Sequence, residues 1–187
     1  SRGLGDVYKR QALTEHIIHL TGITDEQLAK APDFSQVAQE IYHLISDCVF
    51  VAHNVKFDAN LLAEKLFLEG YELRTPLVDT VELSQVFYPT LEKYTLGHLA
   101  DVLQLDLTDA HTAISDAYAT AQLLLKLKEK MESLPKELLE QLLPFSDNLL
   151  FETGMLVEES FKKAKVMSKK DYQEAVSYTH LTLPTIA

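Results

Sequence analysis

The sequence predicts an α/β domain in which a sheet is covered by helices, and three observations predict it. Short apolar runs at Cys48–Ala52 and Pro76–Val78 have the length of strands. Stretches with apolar residues at helical spacing lie between and around them. Turn and capping residues mark most of the junctions, so strands and helices alternate along the chain. With 187 residues, 47% of them hydrophobic, the chain can bury one substantial core. No unit of 20–50 residues repeats.

Taken in order, Thr21-Gly22-Ile23-Thr24 is a turn, and Thr24 with Gln27 three residues later is a capping box opening a short helix to about Lys30. Pro32 closes it. Phe34 to Ser46 places Val37, Ile41, Leu44 and Ile45 on one helical face and leads into the run Cys48–Ala52, expected as a buried strand. Phe57 to Glu69 is helical again, with Gly70 as its stop. Pro76-Leu77-Val78 is a second short strand, and Asp79-Thr80 caps a helix to about Phe87. A small helix spans Thr95 to Leu103. The longest runs from Ala110 to about Met131, with Ala113, Ala117, Ala121 and Leu124 as its expected packing stripe. Leu134 to Leu143 is a shorter helix beginning at Pro135. Residues 145–175 are mixed and increasingly basic, as in a linker. The two ends, 1–11 and 177–187, show no sustained period and look like translated cloning sequence, so they are set aside from the fold.

Seventeen basic residues against 28 acidic give a net charge of −11, which argues against a partner held mainly by counterion release, such as a nonspecific duplex binder. Clustered carboxylates that hold divalent ions remain compatible with it, as does an ordinary acidic protein. The longest apolar runs fall short of the ~18 residues a membrane-crossing helix needs, and no secretion signal opens the chain. Cys48, the one cysteine, is expected as a buried free thiol in a reducing cytoplasm.

Two clusters can carry chemistry. His53-Asn54-Val55-Lys56-Phe57-Asp58 lies where the first strand runs into a helix, and the carboxyl ends of strands are where α/β sheets bind ligands. The plainer alternative makes Asp58 a helix cap. The second cluster, Ala110-His111-Thr112-Ala113-Ile114-Ser115-Asp116-Ala117, opens the longest helix. On one helix His111 and Asp116 would point about 140° apart, so they converge only if His111 precedes the first turn. Asp116 falls at the edge of the alanine stripe, where a carboxylate needs a partner, water or a metal. Its plainer alternative is a partly exposed carboxylate beside a loop histidine.

Together the clusters resemble the DEDDh 3′→5′ exonucleases, the superfamily of the proofreading subunit of bacterial DNA polymerase III. The His-Asn-x-x-Phe-Asp stretch is present as His53, Asn54, Phe57 and Asp58, and His-x-Ala-x-x-Asp-Ala as His111, Ala113, Asp116 and Ala117. The resemblance covers about residues 12–134. Within the superfamily the chain is most similar to the exonuclease domain fused to DinG-type helicases of low-GC Gram-positive bacteria, with Asp147-Asn148-Leu149-Leu150-Phe151 resembling their linker.

The resemblance implies a ribonuclease-H-like fold and hydrolysis of phosphodiester bonds at the 3′ ends of single-stranded DNA or RNA. It implies two divalent ions, Mg²⁺ or Mn²⁺, held by Asp58 and Asp116, with His111 as general base and His53, Asn54 and Phe57 positioning substrate. It also implies a partial domain over 12–143, then a linker over 144–176 toward a helicase domain. The chain itself has no G-x-x-x-x-G-K-[ST] phosphate loop. The family carries Asp-x-Glu on a first strand with two more strands before the Thr-Gly-Ile-Thr segment. Here Asp6-Val7-Tyr8 offers no glutamate at that place. The expectation is therefore a fold lacking its first strands, with apolar surface near Ile41, Val49 and Leu61 left open and activity impaired. A proofreading domain and a catalytically inactive nucleic-acid- or protein-binding relative are the alternatives.

Overall fold

The computed structural model describes residues 12–107 and 112–164. Among them the order is α1 (Glu15–Thr21), α2 (Asp25–Lys30), α3 (Phe34–Ile45), β1 (Phe50–Ala52), α4 (Val55–Leu68), β2 (Leu77–Asp79), α5 (Thr80–Phe87), α6 (Leu96–Leu103), α7 (Ala113–Glu132), α8 (Lys136–Ser146) and α9 (Met155–Lys163). β1 and β2 pair in parallel, Phe50 opposite Leu77 and Ala52 opposite Asp79. Parallel strands need a crossover, and α4 supplies it, packing against both.

Local chemistry sets most boundaries. Thr24 and Gln27 form the reciprocal capping box that opens α2, and Thr95 and Thr112 cap α6 and α7. Gly22, at φ 71°, takes the left-handed turn that ends α1. α7 is the hub, packing on α5, α6, α9 and β1. The core gathers Val78, Leu83, Phe87 and Leu99 around Leu123, Leu127 and Met131 of α7, with Leu138, Leu139 and Val157 closing it from α8 and α9. No helix among the described residues is long and apolar enough to cross a membrane.

Three expectations are corrected. Cys48 is exposed: it lies in the turn after α3, its Sγ 3.4 Å from the Leu44 carbonyl, because the strand begins only at Phe50. The inference from a buried thiol to a reducing compartment lapses with it. The strand itself is half-buried rather than buried. α7 presents Ala119, Leu123, Leu127 and Met131 to the core, while Ala113, Ala117 and Ala121 are exposed. Two residues turn a helix by about 200°, so the alanine stripe lies opposite the buried one; the larger side chains decided the face by the apolar area they hide.

Val49 and Leu61 are exposed at 40% and 52%, as expected, and Ile41 is half-buried. The segment expected as a linker is built into the fold as far as Ala164. Glu152 pairs with the edge of β2: its amide donates to the Leu77 carbonyl at 3.1 Å and its Oε2 accepts from the Leu77 amide at 2.8 Å. The Leu150 amide donates to Glu82 Oε2 at 2.8 Å. An edge strand's unpaired groups are satisfied in this way.

Candidate active site

The β1–α4 junction brings four of the predicted residues together. Asn54 stands at φ 70° and ψ 58°, a left-handed conformation that asparagine tolerates better than most residues. It turns the chain sharply from strand to helix. Its side chain makes no capping bond, and the orphan amides of α4 are served instead by Asp79, from the end of β2. Asp79 Oδ1 accepts from the Asn54 amide at 3.2 Å and Oδ2 from the Val55 amide at 3.0 Å, while Oδ1 also accepts from Val81 at 2.8 Å. One carboxylate thus caps two helices.

His53 is held at both ring nitrogens. Nε2 lies 2.7 Å from the Tyr94 carbonyl, which can only accept, so Nε2 carries the proton. In the neutral ring Nδ1 then accepts from the Thr80 hydroxyl at 2.9 Å. The Ala52 carbonyl, 3.4 Å from that hydroxyl, is its other acceptor, available when the ring is protonated. Burial lowers the His53 pKa below the ordinary histidine value, against smaller raising effects from the Tyr94 carbonyl and the Asp79 charge. Phe57 and Asn54 point outward, Phe57 with 70% of its surface exposed.

Asp58 lies in the first turn of α4. The residue is solvent-exposed; partial burial of its carboxyl group raises its pKa above the usual aspartate value, its own backbone amide lowers it, and the Asp79 charge adds a smaller rise. No basic side chain among the described residues pairs with it. Asp116 is half-buried in the first turn of α7, the helix that packs on β1. His111 lies outside the described residues. The start of α7, from Thr112 to Tyr118, also lines an open groove of about 810 Å³ whose other wall is the Thr21–Ile23 turn and α2. Among the described residues no group of three or more His, Cys, Asp or Glu side chains converges as a metal cage would.

Sequence reasoning did not find the double cap by Asp79 or the Thr80 and Tyr94 contacts that hold His53. Asp79-Thr80 announced a cap for the helix that follows it, which it is. The second set of partners lies 24 and 25 residues upstream and leaves no local signal.

A parallel strand–helix–strand unit carries Asp58 just past its first strand and packs against the helix that carries Asp116, at the end of the sheet where α/β folds bind their ligands. The sequence model of the Exonuclease family matches residues 7–124, and the chain belongs to that family. The match begins inside the stretch 1–11 set aside as foreign-looking. The chain is 42% identical over 135 residues to the 3′-5′ exonuclease DinG of Staphylococcus aureus (strain USA300), an alignment covering 71% of this chain and 15% of the relative. It is 37% identical over 164 residues to the 3′-5′ exonuclease DinG of Staphylococcus saprophyticus, covering 85% and 18%. The chain therefore spans under a fifth of the length of these relatives. A solved structure of Exonuclease X in complex with 5′ overhanging duplex DNA superposes with a TM-score of 0.51 at 24% identity, over 64% of this chain and 68% of that one. That likeness shows the fold, the ribonuclease-H-like exonuclease fold.

Proposed function

We propose that this chain carries the 3′→5′ exonuclease part of a DinG-type protein, releasing nucleotides from the 3′ ends of single-stranded DNA or RNA. The observation that carries the reading is the environment of Asp58. An exposed carboxylate in the helical turn that follows a parallel strand, its pKa raised by partial burial and by the Asp79 charge, with no basic side chain paired to it among the described residues, is a place where a divalent ion relieves a cost. Hard oxygen donors suit Mg²⁺ or Mn²⁺. Asp58 and Asp116 would hold two such ions, which when bound polarise the phosphate and favour ionisation of the attacking water.

The chain's own residues then divide the remaining work. His111 takes the proton from the attacking water, a task suited to an imidazole at neutral pH. Phe57 offers an exposed ring on which a base can stack, and Asn54 an exposed amide beside it. His53, with both nitrogens engaged, positions the substrate indirectly by fixing the Tyr94 loop to the end of β1. The parent protein would join this part to a helicase in the cytoplasm, with no membrane association.

The second reading is a relative that binds nucleic acid or protein without cutting. Calorimetry separates the two. The full-length parent should bind two Mn²⁺ and digest a 3′-labelled oligonucleotide, and Asp116→Asn should abolish digestion. A parent that binds no Mn²⁺ and leaves the oligonucleotide intact belongs to the second reading. The 187-residue chain should digest poorly beside its parent; robust Mg²⁺-dependent activity from it, lost in Asp116→Asn, would overturn that expectation.

A further inference from the structure

Asp79 is not among the residues assigned above to hold the ions, where only its charge bears on Asp58, yet its side chain is the most committed at the junction. It is 2% exposed and accepts from three backbone amides, two of them opening α4. A carboxylate offers acceptors at both oxygens; an asparagine side chain would turn an NH₂ group toward one of those amides. Asp58 stands one turn further along the same rigid helix. Its carboxylate therefore moves with Asn54 and Val55, and their backbone is held to Asp79.

Asp79 is itself fixed from far along the chain. Its amide donates to the Thr153 hydroxyl at 2.9 Å, and Thr153 is fully buried. The neighbouring Glu152 binds the same strand edge two residues earlier, at Leu77, without touching Asp79. We infer that Asp79 is a positioning residue for the exonuclease reaction and that Thr153, from beyond α8, completes it by locking Asp79 against the α4 N-terminus. This rests on the reading of Asp58 as a metal ligand. The segment between α8 and α9 is thereby part of the support of the active site.

The test uses the 187-residue chain and Mn²⁺ as probe. Two readouts are taken on folded protein well below its melting temperature: Mn²⁺-induced broadening of the amide resonances of residues 54–58, and metal-free hydrogen exchange at Val55. Asp79→Asn and Thr153→Val should each weaken the Mn²⁺ response about tenfold or more, as loss of a ligand's supporting contact does, and speed exchange at Val55. Thr153→Ser, which keeps the hydroxyl, should restore both. Glu152→Gln should lower the melting temperature while leaving the Mn²⁺ response within about twofold, since it weakens the edge without reaching Asp79. If Thr153→Val lowers stability but matches Glu152→Gln in Mn²⁺ response, the contact is structural only and the inference fails, even where Asp79→Asn does not fold. If Asp58→Asn leaves the broadening unchanged, the metal-ligand reading fails and takes the inference with it.

Discussion

At the scale of single residues, the imidazole of His53 is where folding and pH meet. Both nitrogens are spent inside the chain, and burial holds its folded pKa below the unfolded value. A depressed histidine pKa means that the unfolded chain binds the proton more readily. The stability it contributes is present above the unfolded pKa of about 6.5 and is lost as pH falls from there through the folded value. Chemical denaturation at pH 7.5 and 5.5 should show stability dropping on acidification, with part of the drop gone in His53→Gln. That variant should also lose about 1–3 kcal/mol at pH 7.5, because Thr80 and Tyr94 are left without their partner. An unchanged pH dependence would place the acid sensitivity elsewhere. The motif that drew attention to His53 was legible in sequence because its members sit within six residues. What His53 binds was not, since Thr80 and Tyr94 lie 27 and 41 residues away.

At the scale of elements, sequence spoke clearly wherever cause and effect were a turn apart. The Thr24–Gln27 box and the Asp79 cap are bonds across two or three residues, and each opens the helix it was expected to open. Which face of a helix is buried depends on its neighbours, and that is where the alanine stripe of α7 misled. The join between α8 and α9 shows the same dependence. Gly154 is buried against the last residue of α8, and a Cβ there would run into the Ser146 carbonyl oxygen at well under contact distance. Its φ of −62° is ordinary, so the requirement is space and not backbone freedom. Gly154→Ala should therefore cost about 1–3 kcal/mol by forced displacement, lowering the melting temperature by several degrees in a thermal scan. Because α9 brings Val157 into the core next to α7 and α8, the loss should appear in the single global transition. A separate early melt of α9, or no shift at all, would show the contact is readily relieved.

At the scale of the whole molecule, two surface properties oppose one another. Leu44, Phe57, Phe67 and Leu68 are each at least 65% exposed, and Leu125 and Ile114 add to them from α7. Apolar surface of this kind drives association when copies approach. Against it stands a net charge of −11, which keeps copies apart over a Debye length of about 10 Å at 0.1 M salt and about 3 Å at 1 M. Association should therefore grow as salt rises, the reverse of an ion-paired interface, and again as pH is lowered toward the isoelectric point near 5.0. Sedimentation velocity at 0.05 M and 1 M NaCl reads this directly: larger species should gain at high salt. Leu44→Glu combined with Phe67→Glu should suppress them at both, with the melting temperature nearly unchanged because neither side chain is in the core. Association that weakens with salt would mean that charge pairs, not these apolar side chains, bring the copies together.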